Sequence, residues 1–394
     1  MKILHIIPSI SPMRGGPSKA ILEMVKALVK EDIEVEIVTT NDDGSNLLDV
    51  PLNQKINYQE VPITFFSRFS PPINGIREFA FSQDLTIWLI KHIKNYDLIH
   101  IHGIFSYPST IAMAIARWHR VPYIVRPYGM LCRWSLEQKR LKKQIYLNLI
   151  EKDNLEGSNL LHFTAIQEQE EVRELNFKYQ SFVLPLGLNI PLRIDQSKQK
   201  LHNHYQIPSE IPIILFLSRI HEKKGLDLLI TALSQINQDF RLIIAGSGDN
   251  SYEQQIQELI VSKKLSDQVI WAGFVEGELK NILLQGSDLF ALTSYSENFG
   301  IAVLEALAVG LPVLVTEGVA LSSIVAENDL GFVTDLDINF IASTIQKALN
   351  NPHELKEKGS RAKEFILSNY TWDKIACNLI SVYEKIVSEK EKIF

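Results

Sequence analysis

Two carboxylates, Glu297 and Glu305, are separated by seven residues in the stretch Glu297-Asn-Phe-Gly-Ile-Ala-Val-Leu-Glu305. Gly300 and the run Ile301–Val309 place a helix start near Phe299, with Glu297 in the loop before it and Glu305 inside it. The N–H groups of Phe299, Gly300 and Ile301 then lack helical partners, which suits an anionic or hydroxyl-rich ligand. The competing assignment makes Glu297 a first-turn acid favoured by the helix dipole and Glu305 a solvated helix residue. Glu305, however, sits among Ala302, Val303, Leu304, Ala306, Leu307 and Ala308. A carboxylate in such apolar company needs a partner, and a pair of ligand hydroxyls is the expected one.

A second group of chemistry-bearing residues is Ser218-Arg219-Ile-His-Glu-Lys-Lys224-Gly225, between an apolar run and a helical pattern. Cations at a strand end, followed by glycine and a helix start, suit a diphosphate; a surface charge cluster is the alternative. Gly15 and Gly16, with Arg14 beside them, follow the first apolar run, and glycines let a backbone approach a phosphate closely. Neither a G-x-x-x-x-G-K-[ST] loop nor a full G-x-G-x-x-G is present, because Gly246-Ser-Gly248 lacks a third glycine, so a P-loop or dinucleotide fingerprint is disfavoured. His100 and His102 are two apart and share one strand face. No third metal ligand stands nearby in sequence, so His102 is expected as a single functional histidine and His100 as core. Asp335-Leu-Asp337 has an Asp-x-Asp pattern but lies in an apparent loop after Gly331-Phe-Val-Thr, and no metal is expected there.

The elements that must position these groups alternate. Ile3–Ile7, Val35–Thr39, Leu98–His102 and Tyr123–Arg126 read as strands, separated by helical patterns such as Ile21, Met24, Val25, Leu28 and Val29. The alternation restarts with Ile213–Leu217, apolar throughout as a strand buried on both faces should be. Leu242–Ala245, Val269–Ala272, Leu289–Leu292 and Val313–Val315 continue it. The expected fold is α/β: two doubly wound, Rossmann-like domains facing a central cleft, with ligands at strand carboxyl ends. The boundaries expected are 1–190, a linker at 191–208, a second domain at 209–370 and a final helical segment at 371–394.

Composition narrows the function. The chain has 394 residues, 46% hydrophobic and 22% charged, with a net charge of -6, which is ordinary globular protein and gives no reason to expect nucleic acid. Two cysteines, Cys132 and Cys377, fit a reducing compartment. The apolar start Ile3–Ile7 is too short for a signal peptide and ends at Pro8. No stretch approaches the ~20 apolar residues of a membrane span. A cytoplasmic protein, or one held at the inner face of a membrane, is expected.

Taken together and in this order, these motifs resemble the family 4 glycosyltransferases (GT4) of GT-B fold, most specifically in Glu297-x7-Glu305 followed by Ala306-Leu-Ala-Val-Gly310-Leu-Pro312-Val313, and next in the pair Arg219 and Lys224. The resemblance extends to members that build exopolysaccharides. It implies that Arg219 and Lys224 hold a donor diphosphate, Glu305 the ribose hydroxyls, and Glu297 with the backbone of Phe299, Gly300 and Ile301 the transferred sugar. It places Gly15 and Gly16 at the phosphates and His102 at the sugar. It implies a retaining hexosyltransferase using a nucleotide-sugar co-substrate, no cofactor and no metal, and a saccharide or lipid-linked acceptor. The final helix, about Trp372–Ile386, resembles the family's closing segment on the first domain. Two positions depart from the pattern: Leu186 precedes Gly187 where asparagine is frequent, and Ala165 follows Thr164 where serine is common. An epimerase or phosphorylase of the same fold would need an acid-base set or a pyridoxal phosphate lysine, and no motif for either is present. A non-catalytic nucleotide-sugar-binding subunit should have lost one of Arg219, Lys224, Glu297 or Glu305. Finally, the segment Arg133–Lys143 mixes aromatics and cations, and a peripheral contact with anionic lipid is expected there as the alternative to an ordinary solvated helix.

Overall fold

The computed structural model describes residues 1–391, which divide into two units: Met1–Gly187 with the returning segment from Trp372, and Leu188–Thr371. In the first unit the strands are β1 (Lys2–Ile6), β2 (Glu34–Thr40), β3 (Asp42–Asp43), β4 (Asn46–Leu47), β5 (Lys55–Tyr58), β6 (Val61–Phe66), β7 (Leu98–His102), β8 (Tyr123–Arg126), β9 (Leu160–Phe163) and β10 (Ser181–Val183). Its helices are α1 (Gly16–Lys30), α2 (Asn74–Phe79), α3 (Gln83–His92), α4 (Tyr107–His119), α5 (Arg133–Glu137), α6 (Arg140–Tyr146), α7 (Lys152–Glu156) and α8 (Ile166–Arg173). One eight-stranded sheet runs in the order β10-β9-β8-β7-β1-β2-β6-β5, and only the edge hairpin β5–β6 is antiparallel. β3 and β4 form a separate small hairpin.

The second unit holds α9 (Ser197–His204), β11 (Ile213–Leu217), α10 (Leu226–Leu233), β12 (Arg241–Ala245), α11 (Asn250–Ser262), β13 (Val269–Gly273), α12 (Gly277–Gly286), β14 (Leu289–Leu292), α13 (Ile301–Val309), β15 (Val313–Thr316), α14 (Ser322–Glu327), β16 (Gly331–Thr334), α15 (Ile338–Leu349) and α16 (Pro352–Asn369). Its sheet is wholly parallel, ordered β13-β12-β11-β14-β15-β16. The central strands have no polar residue and are fully buried, because helices cover both faces of a parallel sheet.

In each sheet the strand order reverses beside the first strand of the unit: between β1 and β7, and between β11 and β14. Loops leaving neighbouring strands in opposite directions open a crevice there, and in such sheets ligands bind at that place. The loops after β1 and β7 carry Gly15, Gly16 and the end of the His100–His102 strand. Those after β11 and β14 carry Arg219, Lys224 and Glu297.

One expectation needs correction. Residues 191–208 are not an extended linker. Within them α9 docks on α12, with Ser197 Oγ donating to Gln285 O at 3.0 Å, Ile194 N donating to Gln285 Oε1 at 2.9 Å and Lys198 paired with Asp288 at 2.5 Å. Gly286 admits the contact, since a Cβ there would lie 2.8 Å from Ser197 O. Asp335-Leu-Asp337 does lie in a loop, and the Gly331-Phe-Val-Thr stretch before it is the edge strand β16. Asp337 caps α15 by accepting from Asn339 N and Phe340 N at 2.8 and 3.1 Å, which gives that carboxylate a structural task.

The last helix, α17 (Trp372–Glu391), belongs to the first unit. It packs along α1 and buries Trp372, Ile375, Leu379 and Tyr383. Gly187, the last residue before the chain leaves this unit, must be glycine, since a Cβ would meet the Trp372 ring at 2.5 Å.

Candidate active site

Lys224 closes a short 3-10 turn (Glu222–Lys224), and Gly225 follows in the left-handed conformation before α10 begins. Only glycine fits at 225: φ is +63°, and a Cβ would lie 2.0 Å from Thr293 O. That close approach presses the loop after β11 onto the loop after β14. Thr293 Oγ1 donates to Gly225 O at 2.7 Å, while Ser294 Oγ and Tyr295 N donate to Lys223 O at 2.8 and 2.9 Å. The second loop is held from its other side: Thr316 Oγ1 donates to Ser294 O at 2.6 Å, and Glu297 N to Gly318 O at 2.7 Å.

With both backbones fixed, Lys224 Nζ and Glu297 Oε2 meet in an ion pair whose side chains are only 12% and 19% exposed. Burial, then the positive charges of Lys223 and Arg219, pull the Lys224 ammonium down to about 7, and the Glu297 carboxylate in contact with it favours the charged form. Arg219 is exposed on the same loop and makes no ion pair or hydrogen bond among the described residues. Its charge also lowers His221, after burial as the main cause. Gly246 and Gly248 flank this loop for a steric reason, since their Cβ atoms would meet Ser218 O and Ile220 O at 1.9 and 1.8 Å.

α13 starts after Gly300, whose φ is +85°, and no side chain caps it. Among the described residues the N–H groups of Phe299, Gly300 and Ile301 meet no protein acceptor. Asn298 Oδ1 beside them is buried and unpartnered. The loop thus offers three donors and one amide next to an ion pair, an arrangement suited to anions and hydroxyls together.

Glu305 departs from expectation. It is on α13 as the sequence indicates, but it already has a protein partner: Lys280 of α12 bridges its two oxygens at 2.7 and 2.6 Å. Apolar surroundings did require a partner, and the partner comes from a helix 25 residues earlier in the chain.

In the first unit, Gly15 precedes α1 with φ +79° and Gly16 is its first residue. Arg14 does not point at them. Its guanidinium clasps Asp42 at 2.6 and 2.8 Å, and the fully buried Arg68 also contacts Asp42, so two arginines share one carboxylate. His102 is fully buried, with Nε2 3.0 Å from His5 Nδ1 and Nδ1 3.3 Å from the Tyr128 hydroxyl. Both its nitrogens are therefore engaged inside its own unit.

His102 is one member of a group no sequence spacing reveals. The β1–β7 register sets His5 opposite His100, and His162 approaches from β9. His162 donates Nε2–H to Leu184 O at 2.9 Å, which leaves its Nδ1 to accept from His100 Nε2 at 3.3 Å. His100 Nδ1 is then an acceptor, filled by the Tyr383 hydroxyl of α17 at 2.6 Å. Burial lowers all four imidazoles, His5 to about 3, with Arg126 adding to the effect on the other three. His5, His100 and His102 do bring three ligand atoms within 4.8 Å of one another. The fully buried Arg126 charge also bears on this group, and the buried Glu168 carboxylate interacts with that arginine in turn.

Known proteins bear on this architecture. Residues 15–187 match the model described as glycosyl transferase 4-like domain, and residues 197–365 that of glycosyl transferases group 1. An uncharacterised glycosyltransferase of Methanocaldococcus jannaschii is 31% identical over 98% of both chains. The N-acetyl-alpha-D-glucosaminyl L-malate synthase of Bacillus anthracis is 22% identical over 96% of both. Among solved structures, sucrose-phosphate synthase from Thermosynechococcus elongatus superposes with a TM-score of 0.78 (19% identity, 99% of this chain and 100% of that one). Anabaena HepE in complex with UDP and glucose gives 0.75 (18% identity, 98% and 100%). The fold and the paired switch-point loops define an enzyme of the GT-B class. The chain belongs to the family 4 glycosyltransferases.

Proposed function

We propose that this glycosyltransferase moves a hexose-type sugar from a nucleotide diphosphate sugar to a saccharide or lipid-linked saccharide acceptor, with retention and without a metal, in polysaccharide or glycoconjugate synthesis at the cytoplasmic face of a membrane. The observation that carries the reading is Lys224 held against Glu297 at the second unit's switch point, with Arg219 exposed beside it. The donor class is supported by HepE, which is known with UDP and glucose bound.

A donor diphosphate competes with Glu297 for Lys224, and it adds Arg219 and the free N–H groups before α13. Glu297, once released, is free to accept from sugar hydroxyls. Glu305 exchanges or shares Lys280 with the ribose hydroxyls. In the transfer step an acceptor hydroxyl oxygen bonds to the sugar's anomeric carbon as the bond from that carbon to the phosphate oxygen breaks. The hydroxyl proton passes to the departing phosphate oxygen, so attack and departure share one face and the configuration is kept. Arg219 and Lys224 stabilise the charge that develops on the diphosphate, the task a divalent ion performs in other transferases.

Thermal-shift screening against UDP-, GDP- and ADP-sugars tests the donor, because a ligand at 100 times its Kd adds about 2.7 kcal/mol of stability. One nucleotide series should raise Tm and support transfer in EDTA, with the donor's anomeric configuration in the product. No shift and no transfer with any of them would remove the reading.

A further inference from the structure

α6 continues into a wider π-helical turn (Leu147–Glu151) before α7. One side of this continuous element is anchored. Tyr146 donates to or accepts from Thr110 Oγ1 at 2.8 Å, Leu147 is buried, and the buried Glu151 accepts from Thr110 Oγ1 at 2.6 Å and Phe105 N at 3.3 Å. The other side is apolar and uncovered: Leu141 is 76% exposed, Ile145 59% and Leu149 77%. An i, i+4, i+8 spacing drifts around a regular α-helix, and the wider turn opposes that drift and keeps the three in one stripe. α2 meets the anchored side of this element through the Phe79–Tyr146 ring contact at 5.9 Å, and Ile76 on it and Ile73 just before it are exposed. Single exposed apolar residues are ordinary, but a run of this kind on neighbouring elements marks a docking surface.

Its charge identifies the occupant. Lys139, Arg140 and Lys142 are exposed at the start of α6, and among the described residues Arg140 and Lys142 have no ion pair; Lys139 has only a long contact to Glu78 at 3.9 Å. Lys143 is not part of this group: it turns inward onto Ser135 O at 2.5 Å and the Phe105 ring. Arg133 is also engaged, with Glu174 at 3.3 Å. Cations beside an apolar stripe match a surface that is anionic outside and hydrocarbon beneath. A protein partner would have to pair the same cations and cover the same leucines within one rigid patch, whereas a bilayer interface supplies both layers without further fitting.

We infer that the Leu141–Ile145–Leu149 stripe and the flanking Lys139, Arg140 and Lys142 seat this protein on an anionic lipid surface. The contact deepens the reading of a lipid-linked acceptor and rests on it only for its purpose. Membrane seating also narrows the span expected from sequence: the working segment is 139–149 rather than 133–143.

The full-length protein should sediment with phosphatidylcholine vesicles containing about 30% phosphatidylglycerol, and much less with phosphatidylcholine alone or in high salt. Charge reversal at Lys139, Arg140 and Lys142 should weaken that partition on the order of a hundred-fold. Leu141→Ser, Ile145→Ser and Leu149→Ser together should abolish it in both salt conditions. Thermal melts and donor hydrolysis in the absence of vesicles should be unchanged in both variants, which separates loss of seating from loss of fold or of the transferase reading. Equal sedimentation of wild type and either variant would overturn the inference. So would a wild-type dimer in light scattering that the serine variant dissociates without any vesicle binding by the wild type.

Discussion

At the carboxyl ends of β11 and β14 the second unit gathers Arg219, Lys224 and Glu297, charged and partly open to solvent. At the carboxyl ends of β1 and β7 the first unit gathers His5, His100 and His102, with His162 behind them, all fully buried and held neutral. The same doubly wound geometry therefore makes two different environments. One holds a largely buried ion pair beside an exposed arginine. The other uses hydrogen-bonded imidazoles as structural polar links that excess charge would disrupt. Topology sets where loops converge, and side-chain burial decides what they do.

The contrast fails first if the charged point is not the working one. Lys224→Ala should lower the transfer rate by roughly 10²–10³-fold, the scale of one lost electrostatic stabiliser, and initial rates at saturating donor measure it. An unchanged rate would move the diphosphate elsewhere. Glu297→Gln sharpens the exchange idea. It should cut kcat by about 100-fold while nucleoside diphosphate binds as tightly or more tightly by calorimetry, since the competitor for Lys224 is weakened. Weaker nucleotide binding would mean that Glu297 holds the loop rather than competing.

The neutral point is tested by acid. A histidine with a lowered folded-state pKa is protonated first in the unfolded chain, so stability is full above the unfolded value of about 6.5 and falls as pH drops from there toward the folded value. For His5, at about 3 when folded, the loss by pH 5 is roughly 2 kcal/mol. Thermal unfolding between pH 7 and 5 should show that decline, and a flat profile would mean the imidazoles are accessible to protons. The smallest effect belongs to Tyr383→Phe, which leaves the buried His100 Nδ1 without its donor. It should cost about 1–2 kcal/mol, read as a few degrees in Tm, with transfer at low temperature retained.

Much of the charged point was legible in sequence, because its signals are local. Arg219 and Lys224 end an apolar strand before a glycine, and Glu297 precedes a glycine-led helix. Glu305's need for a partner was also local, but Lys280 was invisible, since α12 meets α13 only through the fold. The histidine group is almost wholly non-local: His5 meets His102 through the β1–β7 register, and Tyr383 arrives from 283 residues beyond His100. Edge strands such as β10 and β16 escaped because three or four residues give no periodicity. α9 escaped for another reason, its polar composition, which hides a face seated on α12.

The return of the chain through α17 has a consequence for synthesis. Leu188–Thr371 emerges from the ribosome as one uninterrupted stretch and can close its core at once, while the unit begun earlier waits for its final helix. Until Tyr383 arrives, the imidazole of His100 has no hydroxyl to accept from and the groove along α1 lies bare. The unit whose chain is begun first is thus the one whose chain is completed last.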